Sequence, residues 1–365
     1  MKKDLGITML LLVLCGIAYY LNPVFLSRYN LQNTARLIGM YGIFSIGLGI
    51  VIITGGIDLS VGSVFALQGV LLAVMLRGGT LTLVPAMRFT DTLQLHTFVL
   101  HMPQLPWILA ILISMAAVLL LGLFHAILIV KFKMQPFIVT LCGLMFYRSI
   151  ARFMVDDNTV GFGESEYGIL RTITTHNLEI PWPGNPIAIP MPFVILMIVA
   201  IIGAVVVHKS VYGRYLFAVG RNENAARYSG INSRLIVGSA YVLCMLLSGI
   251  AGIVLSLDTN SISPSDFGNS YELYGIAAAV LGGCSLRGGE GSVFGIVIGT
   301  ALLQVLQNIV NLVGIPSSLN GSVMGAVILV GVLVDQILAT RKKARVSKTP
   351  PPLAKTPIVP PAATA

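Results

Sequence analysis

The chain has 365 residues, of which 10% are charged, 56% are apolar and 38 are glycine, and its mean hydropathy is +0.88. Soluble domains carry about a quarter charged residues, so a water-soluble fold is excluded and lipid is the solvent for most of this sequence. The formal charge of +9 does not point to nucleic acid, because the basic residues fall in short gaps between apolar runs and form no clustered face.

A helix needs about 20 apolar residues to cross the hydrocarbon core. On that measure, spans are expected near residues 5–22, 36–54, 60–77, 107–130, 136–154, 191–208, 235–257, 272–285, 292–312 and 321–340. The eighth is short and glycine-rich. Lys2 and Lys3 precede a retained first helix, since no small-x-small cleavage site follows and Tyr19-Tyr20-Leu21-Asn22-Pro23 fits an interfacial exit. With the amino terminus inside, 16 of the 23 Lys+Arg fall on the cytoplasmic side, including Lys131, Lys209, Arg214, Arg234 and the Arg341–Arg345 cluster. Nine of the 14 acids fall outside. The fold class expected is an all-α integral membrane protein of about ten transmembrane helices with both termini inside, over residues 1–345. Residues 346–365 read as a disordered, proline-rich cytoplasmic tail.

Between the second and third spans, Gly55, Gly56, Asp58, Ser60 and Gly62 interrupt what would otherwise be one helical hairpin. A carboxylate at membrane depth costs about 2.5 to 3.5 kcal/mol on insertion scales and needs partners. Ser60 and the free amides opening the third span are candidates, with Asp58 standing where an N-cap would be. Two readings stay open: a cap that orders the turn, or a broken-helix element beside a transport path. A similar pattern recurs at Gly282-Gly283-Cys284-Ser285 through Gly288-Gly289-Glu290-Gly291-Ser292, a weak internal repeat on the same side.

The cytoplasmic stretch 212–231 has its own helix punctuation. Asn222 caps, Glu223 suits the positive first turn, Ala225 and Ala226 are strong formers, and Gly230 stops. Such a short helix is marginal alone in water, so it packs either on its own bundle or on a partner.

In the ninth span Gln304, Gln307, Asn308 and Asn311 fall at i, i+3, i+4 and i+7, which places four amides on one face. They serve either as interhelical hydrogen bonds or as the lining of a path for a hydroxyl-rich solute, joined by Gln68 in the third span. The four cysteines read as buried packing residues, with no disulfide. No lysine sits in G-x-x-x-x-G-K-[ST], and no H-E-x-x-H or G-x-S-x-G occurs, so no catalytic group, cofactor or metal site is expected.

Gly55-Gly56-Ile57-Asp58-Leu59-Ser60-Val61-Gly62-Ser63 resembles the signature of the permease subunits of bacterial ATP-binding-cassette sugar importers of the ribose, xylose, galactose and galactofuranose type. Gln135 to Leu141, Ala218 to Ile231 and Gly282 to Ser292 are similar to other hallmarks of that family, in the same order from about residue 35 to 340. The resemblance implies an inner-membrane transporter subunit that does no covalent chemistry and works by alternating access. It implies a second permease chain, a cytoplasmic ATPase subunit and a periplasmic or lipoprotein sugar-binding protein. It further implies that Gly220, Arg221, Asn222, Glu223, Ala225, Ala226, Arg227, Ser229 and Gly230 form the coupling helix docked on the ATPase. Two departures stand out: Arg221 where relatives often carry glycine, and a long outer loop at 78–106. A nucleoside, branched-chain amino acid or furanone permease of the same architecture is the alternative. The scarcity of intramembrane counter-charges favours a neutral solute.

Overall fold

A computed structural model of the chain describes residues 2–84, 87–88, 94–95, 98–163, 168–181, 186–316 and scattered residues between 319 and 333. The expected tenth span, 321–340, lies for the larger part outside the described residues, and the tail 346–365 lies wholly outside them.

Helices form where apolar spans were expected: α1 Lys2–Leu21, α2 Arg28–Ile53, α3 Val61–Arg77, α4 Trp107–Val130 and α5 Pro136–Met154. After the short α6 (Gly168–Thr175) come α7 (Met191–Ala204, continued as a π turn through Lys209), α8 (Val211–Arg221) and α9 (Glu223–Tyr228). The chain continues with α10 (Ser233–Thr259), α11 (Tyr271–Leu281) and α12 (Val293–Leu312). The protein is thus an all-α membrane protein. Among the described residues six helices are long and apolar enough to cross a bilayer, namely α2, α4, α5, α7 with its π turn, α10 and α12. α1, α3 and α11 are shorter apolar helices. With 11 residues, α11 rises about 16 Å, roughly half the hydrocarbon core, and the expected span at 272–285 does not cross as one helix.

α2 begins eight residues before the expected span. Its first turns carry Arg28, Asn30, Asn33 and Arg36, which break the apolar pattern without breaking the helix. Ser27 Oγ accepts from the Asn30 N–H at 3.4 Å to cap it, and Arg36 pairs with Asp258 at 2.9 Å across the outer end of α10.

The bundle is built around α2 and α10, which are 78% and 72% buried, whereas α4 and α7 are 22% and 17% buried and keep broad apolar faces outward. α2 packs on α7, α10, α11 and α12, while α10 packs on α2, α3 and α4. Small residues set these approaches, since lipid supplies no hydrophobic drive between helices and close van der Waals contact must. A Cβ on Gly47 would stand 3.1 Å from the Cys244 backbone, and one on Gly299 would strike the Ala278 carbonyl.

The outer side carries the irregular structure. Strands Gly79–Val84 and Phe98–Met102 pair antiparallel in the long first loop, and α6 with the pair Asn177–Ile180 and Ile187–Pro190 occupies the second. The second outer loop therefore combines a short helix with paired strands. Val160–Gly161 pairs with Ser261–Ile262, joining the outer ends of α5 and α10. A cavity of about 280 Å³ bordered by Arg77, Thr80, Asp156 and Asn158 opens beside the first hairpin.

Of the cysteines, Cys244 and Cys284 are buried, Cys15 is half-buried and Cys142 is exposed. The expectation of four buried thiols fails at Cys142, which lies on the outward face of α5. Burial pushes the Cys284 thiol, in the turn after α11, up to about 12, so it stays protonated and packs.

Gly299→Val forces the α11–α12 contact apart and is expected to cost about 1–3 kcal/mol, lowering the melting temperature of the detergent-purified protein. Gly16→Val, where a Cβ meets nothing within 4 Å, serves as control and is expected to melt as the unmodified chain does.

Candidate functional site

Three glycine-bearing segments on the side assigned to the cytoplasm meet at one junction. α2 ends at Ile53, and Gly55 takes a left-handed φ of +85° that turns the chain back into the bundle. The Gly289 N–H donates to the Ile53 carbonyl at 2.8 Å, which ties the turn after α11 to the end of α2. Gly220, in the last turn of α8, abuts the same Ile53 carbonyl and the Gly289 nitrogen, and Gly288 (φ +82°) abuts the Gly220 carbonyl and Gly55. No side chain fits between these backbones. The repeated glycine pairs seen in the sequence are therefore in physical contact with each other and with the segment leading to α9.

α9 is a helix of six residues. Asn222 Oδ1 accepts from the Ala225 N–H at 3.0 Å, and Gly230 (φ +81°) ends the turn. Only Ala226 of the helix is buried; Glu223, Asn224, Ala225, Arg227 and Tyr228 are exposed, as are Arg221 and Ser229 on either side. Glu223 accepts from Ser233 Oγ at 3.0 Å and so fixes α9 to the first turn of α10.

Deeper in, Asp58 is fully buried. Its Oδ1 accepts from Ser60 N–H at 2.9 Å and Ser60 Oγ–H at 2.7 Å. The residue capping α3 is Ser60, with Asp58 two residues ahead of it, so the acid orders the turn through Ser60 alone. Asp58 Oδ2 faces His125 Nδ1 of α4 at 4.0 Å, and neither atom has a hydrogen-bond partner. The other imidazole nitrogen, Nε2, hydrogen-bonds the Tyr147 hydroxyl of α5 at 2.8 Å, with the two rings stacked. Gly143 makes this possible: a Cβ there would lie 2.9 Å from His125 Nε2 and 3.2 Å from the Ser60 side chain. Unpaired buried polar atoms cost about 1–3 kcal/mol each, so the Asp58–His125 gap holds unspent interaction.

The first turn of α3 has a second charged neighbour pair. Arg148, next to Tyr147, donates from Nη1 to the carbonyls of Phe267 at 2.5 Å and Pro264 at 3.1 Å, and from Nη2 to the Gly62 carbonyl at 3.2 Å. Glu272, 5% exposed, accepts from the Gly62 N–H at the positive end of α3. The loop between α10 and α11 is thereby fastened to the start of α3.

The five polar residues expected along a path lie in two places. Gln68 is buried against Gly252 of α10, near Ser256, and neither of its amide atoms has a partner. On α12, Gln304 is buried with Oε1 unpartnered, Gln307 and Asn308 are half-buried and Asn311 is exposed. Asn308 Nδ2 donates to Asn30 Oδ1 at 2.7 Å and Asn30 Nδ2 donates back at 3.0 Å, a closed amide pair between α12 and α2. α3 packs mainly on α4, α5 and α10, and α12 on α1, α2 and α11, which keeps the two groups apart.

Sequence reasoning missed His125, Tyr147, Arg148, Glu272 and Asn30. The first four were visible as ionisable residues inside or at the edge of apolar spans, a signal that marks function by default in a membrane chain. It was read for Asp58 alone.

A family described as the permease component of a branched-chain amino acid transport system matches residues 30–332, which include the junction and all the buried charges just described. The chain belongs to this permease family. It is therefore a multi-pass membrane transporter subunit. It is 35% identical over 335 residues to a ribose import permease of Bacillus subtilis, covering 92% of this chain and 93% of that one. Against the ribose import permease of Escherichia coli the identity is 34% over 89% of this chain and 91% of the relative. Against the galactofuranose transporter permease of Escherichia coli it is 31% over 86% and 80%. No solved structure matches the chain.

The Asn30–Asn308 pair predicts non-additivity. Asn308→Ala is expected to destabilise by about 1–3 kcal/mol through the stranded Asn30 amide, and the double change Asn30→Ala with Asn308→Ala by less than the sum of the single ones, as read by thermal melting.

Proposed function

We propose that this chain is the membrane permease of an ATP-driven, binding-protein-dependent importer of a neutral monosaccharide, ribose foremost, in a bacterial cytoplasmic membrane. The observation that carries the reading is the near full-length likeness to two ribose import permeases. The shape of the cytoplasmic side supports it. α9 presents five exposed residues on a helix too short to persist alone, rooted by Glu223 and by backbone contact at Gly220. We read it as the surface on which a separate ATPase docks, with Arg221, Asn222, Glu223, Ala225, Arg227, Ser229 and Gly230 at or beside the contact and Ala226 as its anchor. The outer hairpins are read as the seat of a sugar-binding protein, and a second permease chain completes the path.

Within that reading Gln307 and Asn311, at the less buried end of the amide stripe, face the solute. Gln304 lies further inside, Asn308 helps hold the stripe in place, and Gln68, on α3, sits apart from the stripe. A neutral solute fits the charge inventory. Arg148 has its donors on three carbonyls, Glu272 holds the start of α3 and Asp58 is sealed from solvent, so none of them is open to an ammonium or carboxylate. The family description names branched-chain amino acids, which makes leucine the informative competitor.

The test is co-purification of the tagged chain from its native membrane to capture an ATPase subunit, followed by reconstitution with the binding protein and labelled ribose. ATP-dependent ribose uptake that excess leucine does not compete is the expected result. A chain that moves ribose in liposomes without ATP, or leucine in its place, overturns the reading. Glu223→Lys, which breaks the tie to Ser233 and inverts the charge, is expected to lower ATPase retention by about tenfold, and Gln307→Leu to lower uptake with ATPase retention unchanged.

A further inference from the structure

Among the buried polar groups the transport reading does not use are Asp58, His125 and Tyr147, and they sit between the glycine junction and two further helices. On one side Asp58 is three residues from Gly55, whose turn is in contact with Gly288 and, through Ile53, with Gly220 and Gly289. On the other side His125 belongs to α4 and Tyr147 to α5. Thr140 of α5 adds a second tie to the same turn by donating to the Ile57 carbonyl at 3.3 Å. Arg148, next along α5, continues the chain of contacts to the Gly62 and Phe267 carbonyls.

We infer that Asp58, His125 and Tyr147 form a polar strut that carries displacement of the glycine junction to α4 and α5. The inference rests on the reading of α9 as the ATPase-docking surface, because the junction moves only if something outside the bundle drives it. The geometry leaves one link of the strut open. Tyr147 is already bonded to His125 Nε2, and a neutral imidazole that accepts there carries its proton on Nδ1, facing Asp58 Oδ2. At 4.0 Å the last contact is open, about 1 Å beyond hydrogen-bonding distance. A small advance of the α2–α3 turn closes it and joins the turn to α4; a small retreat leaves the turn held to α5 by Thr140 and Arg148 and uncouples His125. Two orphaned atoms facing each other across such a gap are a contact that a small shift of the turn makes or breaks. The three side chains act here as positioning residues, through the turn and the helices, and touch no solute.

The experiment measures ribose moved per ATP hydrolysed in liposomes holding the complete complex, for His125→Phe, His125→Gln, Tyr147→Phe and the unmodified chain, with melting temperature and ATPase retention read on the same samples. The strut predicts that both phenylalanine variants keep the ATPase but move about tenfold less ribose per ATP. It also predicts that His125→Gln, which keeps a donor and an acceptor, recovers most of that ratio. Unchanged ribose per ATP in His125→Phe and Tyr147→Phe overturns it. So does a loss that follows melting temperature and is no smaller in Gln than in Phe, which marks mere packing. An unmodified chain that fails to retain the ATPase overturns the docking reading and the strut with it, and is distinguished by that retention measurement.

Discussion

The close approach of three backbones at Gly55, Gly220 and Gly288–Gly289 is the constraint on which the rest of the structure depends. A Cβ at Gly220 would overlap the Ile53 carbonyl, and one at Gly288 would press on Gly55, so side chains are excluded from the contact. The hydrogen bond from Gly289 to Ile53 locks the register of the two turns. Backbone packed on backbone is stiff, because there is no rotamer to absorb a shift. Whatever moves α8 and α9 therefore moves the ends of α2 and α11, and α11 is itself seated on α12 through Gly282, Gly295 and Gly299.

The second constraint is electrostatic. An apolar bundle that holds Asp58, Arg148 and Glu272 must give each of them partners, since an isolated charge in this setting is costly. Arg148 is satisfied by carbonyls of the irregular α10–α11 loop and by a second lone pair of the Gly62 carbonyl in the first turn of α3. Glu272 is satisfied by an amide that the first turn of α3 leaves free. Broken helices thus supply the partners, and the charges in turn hold the breaks. Asp58 is the exception, with one oxygen bonded and the other facing His125 across a gap, and it is the group placed nearest the glycine junction.

Much of this was legible in the sequence, for reasons that particular residues make clear. Apolar length located every helix described as spanning, and Asn222, Glu223, Ala225 and Gly230 marked the start of α9 and bounded its end, which falls at Tyr228, because capping is a local interaction. The amide stripe on α12 was visible from its spacing, but Asn30, which pairs with Asn308 from 278 positions away, was not, because that contact depends on how α2 and α12 pack. The start of α2 was placed late because Arg28, Asn33 and Arg36 look like a loop until Asp258 is brought beside Arg36. The recurrence of glycine pairs was legible as pattern, whereas their mutual contact is a tertiary fact. His125 carried a readable signal that was passed over, since it has no partner within its own helix.

The measurement that tests the junction most directly is an intramolecular cross-link. With Cys142 changed to serine and cysteines placed at Thr54 and Arg221, both accessible at the junction edge, a short bifunctional thiol reagent is applied to the complete complex and the linked peptides are identified by mass spectrometry. The account predicts a high-yield link within one chain that leaves ATP-driven ribose uptake intact, because the linked turns move as one body. Absence of that link, while a control pair elsewhere on the cytoplasmic face reacts, or loss of uptake with the link in place, would contradict it.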